Sequence, residues 1–150
     1  MARAFLVDSD PLQIVLCSNR LKTSEVEEVV THELVHAFDY TYSRCNFDSC
    51  EGLAYSEVRA AREAECANTS AFPFQLSWFK SQCIRYHASR STSSLFPSLE
   101  AAKCVDTVLS AAMSDLAPFD GSYKIQDSSP TRISPLLPPS PSSVPSDSGK

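Results

Sequence analysis

His32-Glu33-Leu34-Val35-His36 is the stretch of this 150-residue chain best suited to chemistry. Two imidazoles four residues apart share one face of a helix, one turn from each other, and can grip a single divalent cation. Glu33 projects from the next position round the helix, within reach of a water on that cation. Two histidine ligands with a carboxylate base between them form the pattern of zinc peptidases. Such enzymes hydrolyse a peptide bond with zinc-activated water and use no side-chain nucleophile. The chain has only three histidines, and two fall in this motif. The plain alternative is an amphipathic helix that merely carries two histidines.

Catalytic zinc usually takes three protein ligands and leaves one position for water. Glu57 is the preferred third ligand, since a helix–loop–helix reversal after His36 would bring it back against the first helix. The run Ser56-Glu57-Val58-Arg59-Ala60-Ala61 resembles the glutamate-bearing second helix of zinc peptidases of the His-His-Glu type. Its small Ala60 and Ala61 would let two helices approach closely. The competing account of Glu57 is a solvated carboxylate paired with a nearby arginine. His87 is a second candidate, in the polar setting Tyr86-His87-Ala88-Ser89-Arg90, where an exposed histidine is the simpler reading. Asp39 is expected to orient a ligand imidazole rather than bind metal.

The elements that must position these residues follow from periodicity. Residues 24–40 read as a helix, with Ser24 and Glu27 as a capping box and Glu25, Glu27 and Glu28 at its positive end. Val26, Val29, Val30, Leu34, Ala37 and Phe38 supply its apolar stripe. Residues 11–17 read as a strand, either a plain core strand or an edge to which an extended peptide adds. Residues 41–52 read as a loop that a Cys45–Cys50 bond would close. A second helix is expected over 53–68, stopped by Asn68 to Ser70, and a third from about Gln75 to 88. Leu76, Phe79, Cys83 and Tyr86 on that third helix are assigned to core packing. A polar loop over 89–94 precedes a helix over 99–116, capped by Ser98 and ended by Pro118.

Composition sets the outer limits. The first ten residues make neither a convincing secretory signal nor a mitochondrial presequence. No apolar run reaches 18 residues, so nothing in the sequence spans a bilayer as a helix. A net charge of −5 gives no footprint for nucleic acid, and three glycines leave no phosphate-cradling loop. Six cysteines, at 17, 45, 50, 66, 83 and 104, point to structural disulfides in an oxidising compartment, with 15 full pairings open. Residues 124–150 are rich in Pro and Ser and are expected to be a disordered tail. The domain is therefore placed at 11–123, after a short N-terminal segment at 1–10.

Several motifs occur together in order and spacing. They are Leu16-Cys17-Ser18-Asn19-Arg20, Val30 to Asp39 with the zinc box, Ser56 to Ala61, Cys66, Gln82-Cys83 and Pro118-Phe119-Asp120. Over residues 12–123 this pattern resembles the family of mitochondrial inner-membrane metalloproteases that process a membrane subunit of ATP synthase and help assemble its membrane sector. The resemblance implies His32 and His36 as metal ligands, Glu33 as the catalytic glutamate and one zinc ion per chain. It implies a peptide or protein substrate, the ATP-synthase subunit precursor. The implied location is peripheral, on the intermembrane-space side of the inner membrane. The family usually carries more chain ahead of the strand. It tends to have Cys where this chain has Thr41, Tyr55 and Ala112, and often His where it has Gly52.

The expected fold class is α+β, a small helix-dominated zincin-like metalloprotease domain with a minimal sheet. The expected function is zinc-dependent endopeptidase. The alternative from another class is a chaperone-like assembly factor that keeps the zinc helix as structure. A secreted disulfide scaffold, the third possibility, would bind no metal.

Overall fold

The computed structural model describes residues 3–43, 45–68 and 76–121. The expected Pro/Ser tail, Phe72 and Phe74 lie outside the described residues. Two short strands, β1 (Ala4–Val7) and β2 (Gln13–Leu16), are followed by four helices. These are α1 (Val26–Phe38), α2 (Cys50–Glu63), α3 (Leu76–Thr92) and α4 (Ser98–Ser114). The helix-dominated α+β class with a minimal sheet is what the structure shows.

β1 and β2 pair antiparallel, from Ala4 opposite Leu16 to Val7 opposite Gln13. β2 falls inside the stretch read as a strand. β1 does not appear in the sequence reading, because four residues between Arg3 and Asp8 carry too little pattern. It exists because β2 satisfies its backbone groups and α1 covers it.

The helix at the centre of the packing is α2, rather than the motif-bearing α1. It packs against α1, α3 and α4, and Ala54, Ser56, Val58, Arg59 and Ala60 are fully buried along it. The helix also buries Ala61, in the cluster with Ile84, Ala88 and Val105. Its first turn is fixed by the Ser49 side chain, whose Oγ accepts from the Gly52 N–H at 3.1 Å. A Cβ on Gly52 would lie 2.0 Å from the Asn46 carbonyl oxygen, so only glycine fits there.

Two disulfides tie the neighbours to α2. Cys50 is bonded to Cys104 of α4, and Cys66 to Cys83 of α3. The expected Cys45–Cys50 closure is therefore wrong. Cys50 begins α2 and faces α4, which leaves Cys45 free, as is Cys17. The capping box also lies elsewhere. A 3-10 turn over Thr23–Glu25 leads into α1, and the Glu25 carboxylate accepts from the Lys22 N–H at 2.9 Å. Ser98 already belongs to α4, whose capping position is Pro97. α3 runs on through the expected 89–94 loop to Thr92, because Thr92 is fully buried. The core assignment of the α3 aromatics also fails, since Phe79 and Tyr86 are exposed and Ile84 and Ala88 make the buried contact instead.

Two buried arginines lock the helices. Arg62 donates from Nη1 to the carbonyls of Ala112 and Met113 at 2.9 and 3.1 Å, capping the end of α4. Arg59 is ion-paired with Asp39 and, at 3.1 Å, with Asp115. Truncating Arg59 would strand the buried Asp39 carboxylate. Arg59→Ala is expected to lower unfolding free energy by about 3–5 kcal/mol, read from urea denaturation.

Candidate metal centre and cleft

α1 brings His32 and His36 one above the other, and their Nε2 atoms are 3.0 Å apart. α2 sets Glu57 against both. Its Oε2 is 3.4 Å from His32 Nε2 and its Oε1 is 3.6 Å from His36 Nε2. The three side chains keep only 14%, 10% and 10% of their surface exposed, so this is a largely buried cluster.

Both ring orientations are fixed from behind. His36 Nδ1 lies 2.8 Å from Ser56 Oγ, and Ser56 Oγ donates to Asp39 Oδ2 at 2.8 Å. Because the serine proton is committed to Asp39, its oxygen accepts from His36 Nδ1–H. The Nε2 lone pair of His36 is then left pointing into the cluster. His32 Nδ1 is held by the Glu65 carboxylate at 3.1 Å. With both rings neutral, two nitrogen lone pairs and a carboxylate would be aimed at one spot.

Such a convergence of acceptors is repulsive unless something positive lies among them. Burial alone would depress the His32 imidazole. The Glu57 and Glu65 carboxylates beside it outweigh that and raise it to about 10, so the ring holds a proton. His36 is pushed down to about 4, chiefly by burial, with Glu57 opposing. The Glu65 carboxyl is pushed up by burial but held below its usual range by the His32 bond. A divalent cation would do what that single proton does, and serve all three groups. Glu57 Oε2 is also buried without a hydrogen-bond partner. Two neutral imidazoles and one carboxylate are the donor set of catalytic zinc. The residues present fit the ion.

Glu33 is buried and lines the same cleft as the three candidate ligands. Burial raises its pKa, with the His32 charge opposing. The cleft has a volume of about 630 Å³. β1 lines it through Ala4 to Leu6, with Arg3 just ahead of the strand, and α3 lines it through His87, Arg90 and Ser91. A shallower hollow of about 510 Å³, near Cys45, Tyr55 and Asp115, lies away from this cluster. Burial pushes the Cys45 thiol there up to about 11, which makes it a poor nucleophile.

The structure brings His32, His36, Glu57 and Glu33 to one cleft. Asp39 acts on His36 through Ser56 rather than directly. His87 is on the cleft wall but belongs to another neighbourhood, beside Cys66 and Cys83, whose sulfurs are bonded to each other. Sequence reasoning missed Glu65 and Ser56. Glu65 lies just past the end of α2, and no local pattern marks it. Replacing Glu65 by Gln is expected to weaken zinc affinity about 10–100-fold, read by competition with a chromophoric chelator.

The profile of the Peptidase M76 family matches residues 3–120. A Danio rerio relative, "Mitochondrial inner membrane protease ATP23 homolog", is 37% identical over 120 residues, covering 75% of this chain and 47% of that protein. The Homo sapiens protein of the same name is 34% identical, covering 75% and 49%. "Mitochondrial inner membrane protease ATP23" of Saccharomyces cerevisiae strain YJM789 is 32% identical over 126 residues, covering 75% and 55%. The chain spans about half the length of these relatives. No solved structure matches it.

Proposed function

Because the chain belongs to the Peptidase M76 family, we propose that it is a zinc-dependent metalloendopeptidase of the mitochondrial inner membrane. On this reading it is attached peripherally on the intermembrane-space side. Its substrate is the precursor of an ATP-synthase membrane subunit, and it aids assembly of that complex. The observation that supports the reading is the meeting of His32, His36 and Glu57 within 3.6 Å on the wall of a cleft that Glu33 also lines.

His32, His36 and Glu57 would hold the ion. When bound, zinc supplies Lewis acidity toward the scissile carbonyl and lowers the pKa of water. Glu33 takes the proton of the attacking water on its carboxylate and returns it to the nitrogen of the leaving amine. Glu65 and the Ser56–Asp39 pair hold the two rings in the tautomers that binding requires. Val29, Phe47 and Leu53 make the apolar lining that thins water around the reacting groups.

β1 suggests how substrate lies. Among the described residues the sheet has two strands, so β1 keeps one edge without a strand partner, and β1 lines the cleft. An extended peptide would add beside Ala4 to Leu6 and run past the candidate ligands. Residues 11–17 were open to either reading, a plain core strand or that edge, and the strand that lines the cleft is β1.

Metal removal tests the reading. The purified protein is expected to cleave a peptide spanning the precursor's processing site, to lose that activity in chelator, and to regain it with one equivalent of zinc. Cleavage that persists after complete metal removal would exclude the assignment.

A further inference from the structure

α3 is apolar on two opposite sides. Inward, Ile84 and Ala88 are fully buried in the core with α2 and α4. Outward, Trp78, Phe79 and Tyr86 are 61%, 55% and 61% exposed. Phe79, Gln82, Tyr86 and Arg90 follow one another at intervals of three or four residues and are all exposed, so they form one stripe. Trp78 meets Phe79 edge to face, 5.0 Å between centroids, and broadens its first turn.

The charge on this helix opposes that of the whole. Residues 76–92 contain no Asp or Glu, in a chain whose net charge is −5. The helix carries Lys80, Arg85, His87 and Arg90. Arg85 is matched by Asp106 of α4, and His87 feels Glu65. No ion pair holds Lys80 or Arg90 among the described residues. None of the three aromatics lines either of the two hollows described above.

We propose that the outer stripe of α3 seats the protein on an anionic phospholipid surface. Three amphipathic or aromatic rings beside unmatched cations are what a headgroup layer attracts. The rings settle at the boundary of acyl chains and water, and the cations face acidic headgroups. No helix among the described residues is long and apolar enough to cross a membrane, while the relatives are named inner membrane proteases. A surface contact satisfies both facts. The stripe ends at Arg90, which lines the cleft together with Ser91 and Leu95. Seated this way, the protein presents its cleft beside the lipid, where a segment leaving the bilayer would meet it. The proposal rests on the peripheral attachment put forward above and names the surface responsible.

Trp78 is the single tryptophan of the chain, so its fluorescence reports this contact directly. The full chain is mixed with phosphatidylcholine vesicles with or without phosphatidylglycerol. With the anionic vesicles, Trp78 emission is expected to shift to the blue and to be quenched by brominated lipid, and much less with neutral ones. Phe79→Ser/Tyr86→Ser is expected to weaken partitioning about tenfold or more, and Lys80→Gln about fivefold. Both variants should still cleave a soluble peptide at the wild-type rate, which separates this surface from the protease reading. Vesicle binding with unchanged Trp78 emission would overturn the assignment of α3 while leaving peripheral attachment standing. No vesicle binding at all would overturn both. A solution dimer that the double variant dissociates would give the stripe to a second copy of the chain instead.

Discussion

Replacing Glu33 by Gln is expected to abolish peptide cleavage while leaving bound metal unchanged. Glutamine has the shape of glutamate but cannot take a proton, so the change removes one chemical function and little else. Glu33 has no place among the three groups that converge at 3.0–3.6 Å, so metal content should stay at the wild-type value. Loss of a positioned general base costs about 10²–10⁴-fold in rate, and kcat should fall by an amount in that range. Peptide turnover and elemental analysis on the same preparation check both halves. Wild-type turnover by this variant would exclude the protease mechanism. Restored ATP-synthase assembly in cells carrying only Glu33→Gln would favour the chaperone-like alternative.

His36→Ala is expected to do the converse and remove the metal first. His36 is the more constrained of the two histidines, with its Nδ1 held through Ser56 to Asp39, which Arg59 holds in turn. Losing a hydrogen bond that merely supports a ligand costs about 10–100-fold in affinity, so loss of the ligand itself should exceed about a hundredfold. The α1 helix should survive, because Val29 and Val35 bury its inner face independently of the imidazole. Zinc titration against a competing chelator reads the loss, and circular dichroism confirms the helix. Wild-type zinc affinity in this variant would move the metal site elsewhere.

Local pattern revealed much of this site. Positions 32 and 36 declare themselves because one helical turn separates them, and helical periodicity around them is strong. Glu57 was legible from the run Ser56 to Ala61, whose small residues announce close helix packing. Asp39 was legible as a support for an imidazole, but not its route through Ser56, which depends on how α1 and α2 pack. Glu65 stayed hidden for a tertiary reason. It lies in the turn after α2 ends at Glu63, and its contact to His32 joins residues 33 positions apart.

The same division runs through the fold. α1 and α4 were visible because their apolar residues recur at helical spacing, and α2 because its residues are strong helix formers. β1 was not, because a four-residue strand is defined by its partner rather than by its own pattern. Disulfide pairing was equally out of reach. Cys45 and Cys50 are close in sequence, yet Cys50 is turned toward Cys104 across the helix packing. The α3 aromatics misled because ring side chains favour cores in general. Here the core is already filled by Ile84, Ala88 and the Cys66–Cys83 bond, which leaves Trp78, Phe79 and Tyr86 outside.

Zinc-edge X-ray absorption on the one-zinc protein tests the central claim most directly, because it counts ligand types around the ion. Two imidazole nitrogens with carboxylate or water oxygen at about 2.0–2.2 Å, and no sulfur, is the predicted shell. Sulfur scatterers at about 2.3 Å would place the ion on cysteine and contradict a centre built from His32, His36 and Glu57.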